Sequence, residues 1–168
     1  GHKVKGWTIE QEVYESITME GMNNKYLPDH SLEGLEATMH VEEALDGSEI
    51  IVLAVPSSVI LNVVEDIIPH LRPGHVLLDL AKGLAPGKRL ISEAIHQMLT
   101  DNEMHNPLAV LTGPTIAPEA AGGVMTTALV ASEDVSVAEN LASTLTTPTF
   151  ILHAASDPAG AELWGAFK

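Results

Sequence analysis

His75-Val-Leu-Leu-Asp-Leu-Ala-Lys-Gly83 reads as a buried strand that closes on a lysine and a glycine. A parallel strand covered on both faces has this near-continuous apolar character, whereas a half-exposed strand alternates. Upstream, Glu49-Ile-Ile-Val-Leu-Ala-Val-Pro56 is a second such run, ended by proline. Between the two, Val59, Ile60, Val63, Val64, Ile67, Ile68 and Leu71 recur at the 3,4 spacing of an amphipathic helix. Arg72-Pro-Gly74 breaks that helix. Strand, helix, strand is the unit of a parallel sheet.

The unit repeats along the chain. Pro86-Gly87 precedes a helix reaching to about Leu99, and Leu108–Leu111 is a third buried strand. Thr126–Ala131 is a fourth, followed by a helix around residues 134–145, and Thr149–Leu152 is a short fifth run. At the front, His2–Thr8 looks like a strand and Glu10–Glu20 like a helix. The expected fold is α/β, a doubly wound and mostly parallel sheet with helices on both faces. Both ends look cut. The chain opens without methionine close to a strand, and it closes inside a helix that Asp157 would cap and Pro158 would start.

Composition narrows the function classes. The 168 residues suffice for one ordinary domain, and 45% hydrophobic with 18% charged residues describes a globular chain. A net charge of −15 argues against nucleic acid or an anionic membrane as partner. No apolar run approaches the roughly 20 residues that cross a bilayer, and no leader pattern opens the sequence, so the expected compartment is the cytoplasm. Without cysteine there is no disulfide or thiolate chemistry. The eight histidines, at 2, 30, 40, 70, 75, 96, 105 and 153, show no metal-ligand spacing, and surface or loop positions are expected for nearly all of them. No metal site is expected.

In open parallel sheets, ligands bind beyond the carboxyl ends of the strands. Three successive strands here end in informative loops. The first is Val55-Pro56-Ser57-Ser58, whose serines are suited to capping the next helix. The second is Ala81-Lys82-Gly83, a lone cation in a chain with 8 Lys+Arg against 23 Asp+Glu. The third is Thr112-Gly113-Pro114-Thr115-Ile116-Ala117-Pro118-Glu119. Gly113 would let the backbone approach a ligand, and Thr115 can cap a helix or bond a substrate. Together the loops predict a cleft for a small anion.

In this order, these residues resemble the NAD-dependent glycerol-3-phosphate dehydrogenases. The resemblance covers nearly the whole chain. Asn24-Lys-Tyr-Leu-Pro28 is similar to the family's N-P-K-Y-L-P loop, and Glu42-Glu-Ala-Leu45 through Ala54-Val-Pro-Ser57 to its E-E-A-L…A-V-P-S block. Ala81-Lys82-Gly83 resembles its A-K-G, Thr112–Ala117 its S-G-P-[ST]-F-A, and Gly160–Lys168 its G-V-E-L-G-G-A-x-K.

The resemblance implies a Rossmann-like fold and a site. Lys82 would contact substrate and cofactor, Gly113 and Thr115 would line the substrate site, and Ala117 and Pro56 would approach the cofactor. Lys168 would be the catalytic proton donor or acceptor, with Lys82 beside it. The cofactor would be NAD or NADP. Glu10, near the end of the first strand, would bind a ribose 2′-hydroxyl and so favour NAD, or else it simply opens a helix at the positive end of its dipole. The reaction implied is interconversion of sn-glycerol 3-phosphate and dihydroxyacetone phosphate, with a phosphorylated small molecule as substrate and a homodimer as a candidate assembly. Residues 1–153 would be part of the dinucleotide-binding domain, and residues 154–168 the start of a helical substrate domain.

Departures from the pattern set expectations too. A G-x-G-x-x-G turn should precede the strand at His2–Thr8 and is absent from the sequence. Trp164 stands where the family has a small glycine, and its ring could alter packing near Lys168. The chain alone is therefore expected to bind NADH weakly and to turn over little. Two alternatives stay open. One is a related dehydrogenase of another small hydroxy or keto acid, and the other is a non-catalytic α/β ligand-binding module.

Overall fold

A computed structural model describes residues 2–166. The chain opens with β1 (Lys5–Trp7) and α1 (Gln11–Glu20), then a hairpin of β2 (Met22–Asn23) and β3 (Leu27–Ser31). Next come β4 (Glu36–Thr38), α2 (Val41–Leu45), β5 (Ile50–Leu53) and α3 (Ile60–Ile67). The remainder is β6 (Val76–Asp79), α4 (Ile91–Asp101), β7 (Leu108–Thr112), α5 (Ala117–Ala121), β8 (Thr126–Ala131), α6 (Val135–Leu145), β9 (Phe150–Ala155) and α7 (Pro158–Ala166).

The central sheet has the order β5-β6-β7-β8-β9. β5, β6 and β7 run parallel, β8 is antiparallel to β7, and β9 is parallel to β8. β1 and β4 form a separate parallel pair. The doubly wound, mostly parallel architecture expected from the sequence is thus present. Adjacent residues of β6 show why its sequence is apolar throughout. Leu77 packs into a cluster with Ile60, Val64, Ile67, Ile91 and Ile95 of α3 and α4. Leu78 packs into a second cluster, on the other face, with Leu141 and Ala142 of α6. Burying a Leu side chain contributes about 1.5–3 kcal/mol, so these two layers hold the sheet between its helices.

The reversal at β8 accompanies a short connecting helix. A parallel neighbour requires the chain to return along the sheet to the starting end. The connection from β7 to β8 holds only the five-residue α5, about 7.5 Å of helix at 1.5 Å per residue, against about 16 Å of strand. The chain turns at the same end and comes back antiparallel. Thereafter the 11-residue α6 is long enough for a true crossover, and β9 lies parallel to β8 over all six residues.

Several local expectations are corrected. Asn24–Tyr26 is the turn of a hairpin formed by β2 and β3, with Asn23 Oδ1 accepting the Tyr26 N–H at 3.1 Å, and Leu27–Pro28 already belongs to β3. β4 had no clear sequence signal, being three residues long with only Thr38 buried. The last strand runs from Phe150 on to Ala155 rather than ending at Leu152. His75 is buried rather than superficial, and its Nδ1 accepts the Arg72 N–H at 3.1 Å. Burial lowers its pKa, with the Arg72 charge adding to the effect. Asp157 does cap α7: its Oδ1 accepts the Gly160 N–H at 2.8 Å. Among the described residues no helix is long and apolar enough to cross a membrane.

Candidate active site

Because β5, β6 and β7 are adjacent and parallel, their carboxyl ends share one edge of the sheet. The loops bearing Pro56, Lys82, Gly113, Thr115 and Ala117 all leave from that edge. The first two touch. Gly83 has a φ of 132°, which L side chains rarely adopt, and a Cβ there would stand 3.1 Å from Ser57 Oγ. Ser57 therefore packs under the Lys82 turn. The serines do not cap α3, whose first turn is preceded by Val59 with no side-chain cap bond. Pro56 is exposed, and its carbonyl accepts the Val59 N–H at 3.0 Å. Lys82 is exposed and forms no ion pair with a described residue.

Gly113 has a packing reason for lacking a side chain. A Cβ there would lie 2.8 Å from the Ala128 Cβ and 3.0 Å from the Thr127 carbonyl oxygen, so the close approach is to β8 and not to a ligand on that side. Thr115 is half-buried and caps nothing, since α5 opens behind Ile116 without a side-chain cap. Ala117 is exposed as the first residue of α5.

Helix α7 runs toward the same edge. Its start, Pro158 and Ala159, lines a cavity of about 530 Å³ with Leu108 at the amino end of β7. Near its other end, a Cβ on Gly165 would fall 2.5 Å from Thr112 Oγ1, at the carboxyl end of β7. Lys168 itself lies outside the described residues. Trp164 is 81% exposed, so its ring faces solvent. The site is an open edge. The 530 Å³ cavity, lined by His96, Asn106, Ser132 and Asp134, is at the opposite end of β7.

Glu10 precedes α1 but makes no capping bond. Its carboxylate is already occupied: Tyr26 donates to Oε1 at 2.7 Å, and the Lys25 ammonium pairs with Oε2. The Lys25 hydrogen bond, then the Tyr26 one, lowers its pKa. Any ribose hydroxyl seeking Glu10 would compete with these two donors.

Two acids at the site escaped sequence reasoning. Asp79 ends β6 with no solvent exposure, and Glu162 of α7 is almost as buried. Glu162 accepts the Ile91 N–H with one oxygen. With the other it accepts the Ser92 N–H at 3.2 Å and the Ser92 hydroxyl at 2.5 Å. It therefore caps α4 from a distant helix, supplying what Leu90, the residue at the cap position, lacks. Asp79 Oδ1 accepts the Ala81 N–H at 2.8 Å, while Oδ2 has no described partner. An acid inside an apolar strand was the available signal for Asp79. Glu162 carried none, because nothing local marks a carboxylate that serves another helix.

Comparison with known proteins places this arrangement. A sequence model of the NAD-dependent glycerol-3-phosphate dehydrogenase N-terminus matches residues 1–138. A glycerol-3-phosphate dehydrogenase [NAD(P)+] of Halothermothrix orenii is 36% identical over all of this chain and 48% of its own length. That of Syntrophotalea carbinolica is 34% identical, over all of this chain and 51% of its own. The crystal structure of glycerol-3-phosphate dehydrogenase from Coxiella burnetii superposes with a TM-score of 0.87 at 30% identity, covering 97% of this chain and 49% of that one. The chain spans about half the length of the curated relatives it matches. With the model matching most of its residues, the chain belongs to the NAD-dependent glycerol-3-phosphate dehydrogenase family.

Proposed function

We propose that this chain forms the dinucleotide-binding part of an enzyme that interconverts sn-glycerol 3-phosphate and dihydroxyacetone phosphate. In this reading it uses NAD(H) or NADP(H) and supplies glycerol phosphate for phospholipid synthesis in the cytoplasm. The observation that carries the reading is the shared edge. The Lys82 turn, the Gly113–Thr115 loop and the end of α7 converge on the carboxyl ends of adjacent parallel strands.

The residues present fit a nicotinamide dinucleotide in part. An exposed lysine, a threonine hydroxyl and open backbone at a strand edge suit an anionic, hydrogen-bonding ligand. When bound, the nicotinamide ring supplies or accepts the hydride. Lys82 orients the anionic substrate beside it, Thr115 bonds a substrate oxygen, and Pro56 and Ala117 bound the ring's approach. Lys168 gives a proton to the carbonyl oxygen during reduction and takes it back during oxidation. Gly113 holds the loop against β8, which fixes where Thr115 stands. At the ribose end, the Lys25 ammonium pairs with Glu10 and offsets its charge, so the acidic argument for NAD weakens and the reading takes either cofactor.

The test is made in a full-length protein containing this chain, by following NADH oxidation with dihydroxyacetone phosphate. Lys82→Ala should raise KM for the phosphorylated substrate, and Lys168→Ala should lower kcat by about 10²–10⁴-fold. Full kcat in the Lys168 variant would refute its proton-transfer role. No turnover of dihydroxyacetone phosphate by the unmodified protein, with turnover of another keto acid, would favour the related-dehydrogenase reading.

A further inference from the structure

Asp79 is the last residue of β6, and its side chain is fully buried. Its neighbours in register are Leu53 of β5 and Val110 of β7. The helices over the neighbouring Leu77 contribute apolar groups, Ile60 from α3 and Ile91 from α4. Among the described residues one charge bears on it, Glu162 from α7, and that carboxylate is engaged at the start of α4. Asp79 thus sits in apolar surroundings, facing a like charge, with one oxygen unpartnered. Its other oxygen holds the Ala81 N–H, the bond that turns the chain out of the sheet immediately before Lys82.

A carboxyl group so placed has a single outlet for its charge, the Ala81 amide. A hydrogen bond to an ionised acceptor is roughly twice as strong as one between neutral groups. The grip on Ala81 therefore depends on whether the carboxyl carries a proton. We infer that Asp79 is a positioning residue for Lys82, a proton-linked latch that holds the Lys82 turn firmly when ionised and loosens it when neutral. Burial first, with Glu162 adding, pushes the pKa of Asp79 up to about 7, so the latch would change state near neutrality. The significance of the latch rests on the proposed role of Lys82, but its existence does not.

The experiment needs no ligand. The ¹⁵N-labelled chain is titrated from about pH 5 to pH 9, following the Ala81 and Lys82 amide resonances and the exchange protection of the Ala81 amide. The Ala81 resonance should move through one inflection near pH 7. Its protection against local opening, with the pH-dependent fall in global stability measured alongside and subtracted, should rise about fivefold across that inflection, the equivalent of a net gain of about 1 kcal/mol in one hydrogen bond. In Asp79→Asn, which keeps an acceptor oxygen but cannot titrate, both changes should vanish. A flat Ala81 curve in the unmodified chain overturns the latch, and so does an inflection that survives in the Asn variant. Should the variant fail to fold, a ¹³C label on the Asp79 carboxyl decides. The same midpoint at carboxyl and amide supports the latch, and different midpoints overturn it. Loss of the proposed function, as when Lys82→Ala leaves KM unchanged, would leave the Ala81 curve where it was.

Discussion

Replacing Asp79 with Asn should remove a specific slope from the dependence of stability on pH. The native pKa of Asp79 is about 7 and its unperturbed value 3.8, so between these limits the folded chain holds a proton that the unfolded chain has released. Stability therefore falls as pH rises through this window, the reverse of the usual carboxylate case. At 1.36 kcal/mol per unit, the full window corresponds to about 4 kcal/mol, and the part between about pH 5 and pH 8 to about 2.5 kcal/mol. The assay is urea unfolding of both proteins at those two pH values, read by circular dichroism. Other carboxylates titrate in both proteins and cancel in the comparison. The expected result is a wild-type chain that loses about 2.5 kcal/mol more than Asp79→Asn on going to the higher pH. Equal losses in the two proteins would refute the claim that Asp79 is buried and neutral at acidic pH.

Two further substitutions probe the packing that presents the site. Glu162→Ala leaves the Ile91 and Ser92 amides and the Ser92 hydroxyl without a partner in the interior, and should cost about 3–5 kcal/mol in the same urea assay. Gly113→Ala drives a methyl group into Ala128 and should cost about 1–3 kcal/mol, with disturbed β7 and β8 amide resonances, whether or not a substrate is bound.

How much was legible in the sequence follows from the range of the forces involved. The strands β5, β6 and β7 and the helices α3 and α4 carried their own periodicity, because each buries a face determined by its own residues. The edge that gathers Lys82, Gly113 and Thr115 then followed from parallel pairing alone. What was hidden depends on contacts between distant segments. The antiparallel pairing of β8 with β7 is a contact between strands that no local pattern reports. The occupation of Glu10 by Lys25 and Tyr26 depends on a hairpin that no hydrophobic pattern announced. The reason for Gly113 lies on β8, 15 residues further along the chain by residue number.

The bonds from Glu162 to the start of α4 also have a consequence for the order of events during synthesis. Donor and acceptor are 71 residues apart in the chain. At translation speeds of about 5–20 residues per second, α4 leaves the ribosome several seconds, about 4–14 s, before its cap exists. Through that interval its first turn has no side-chain cap of its own, and the Lys82 turn stands in front of an unfinished helix. The nascent chain should thus acquire its sheet before its binding edge, and a chaperone or protease meeting it in that interval would find residues 80–92 as the last open stretch.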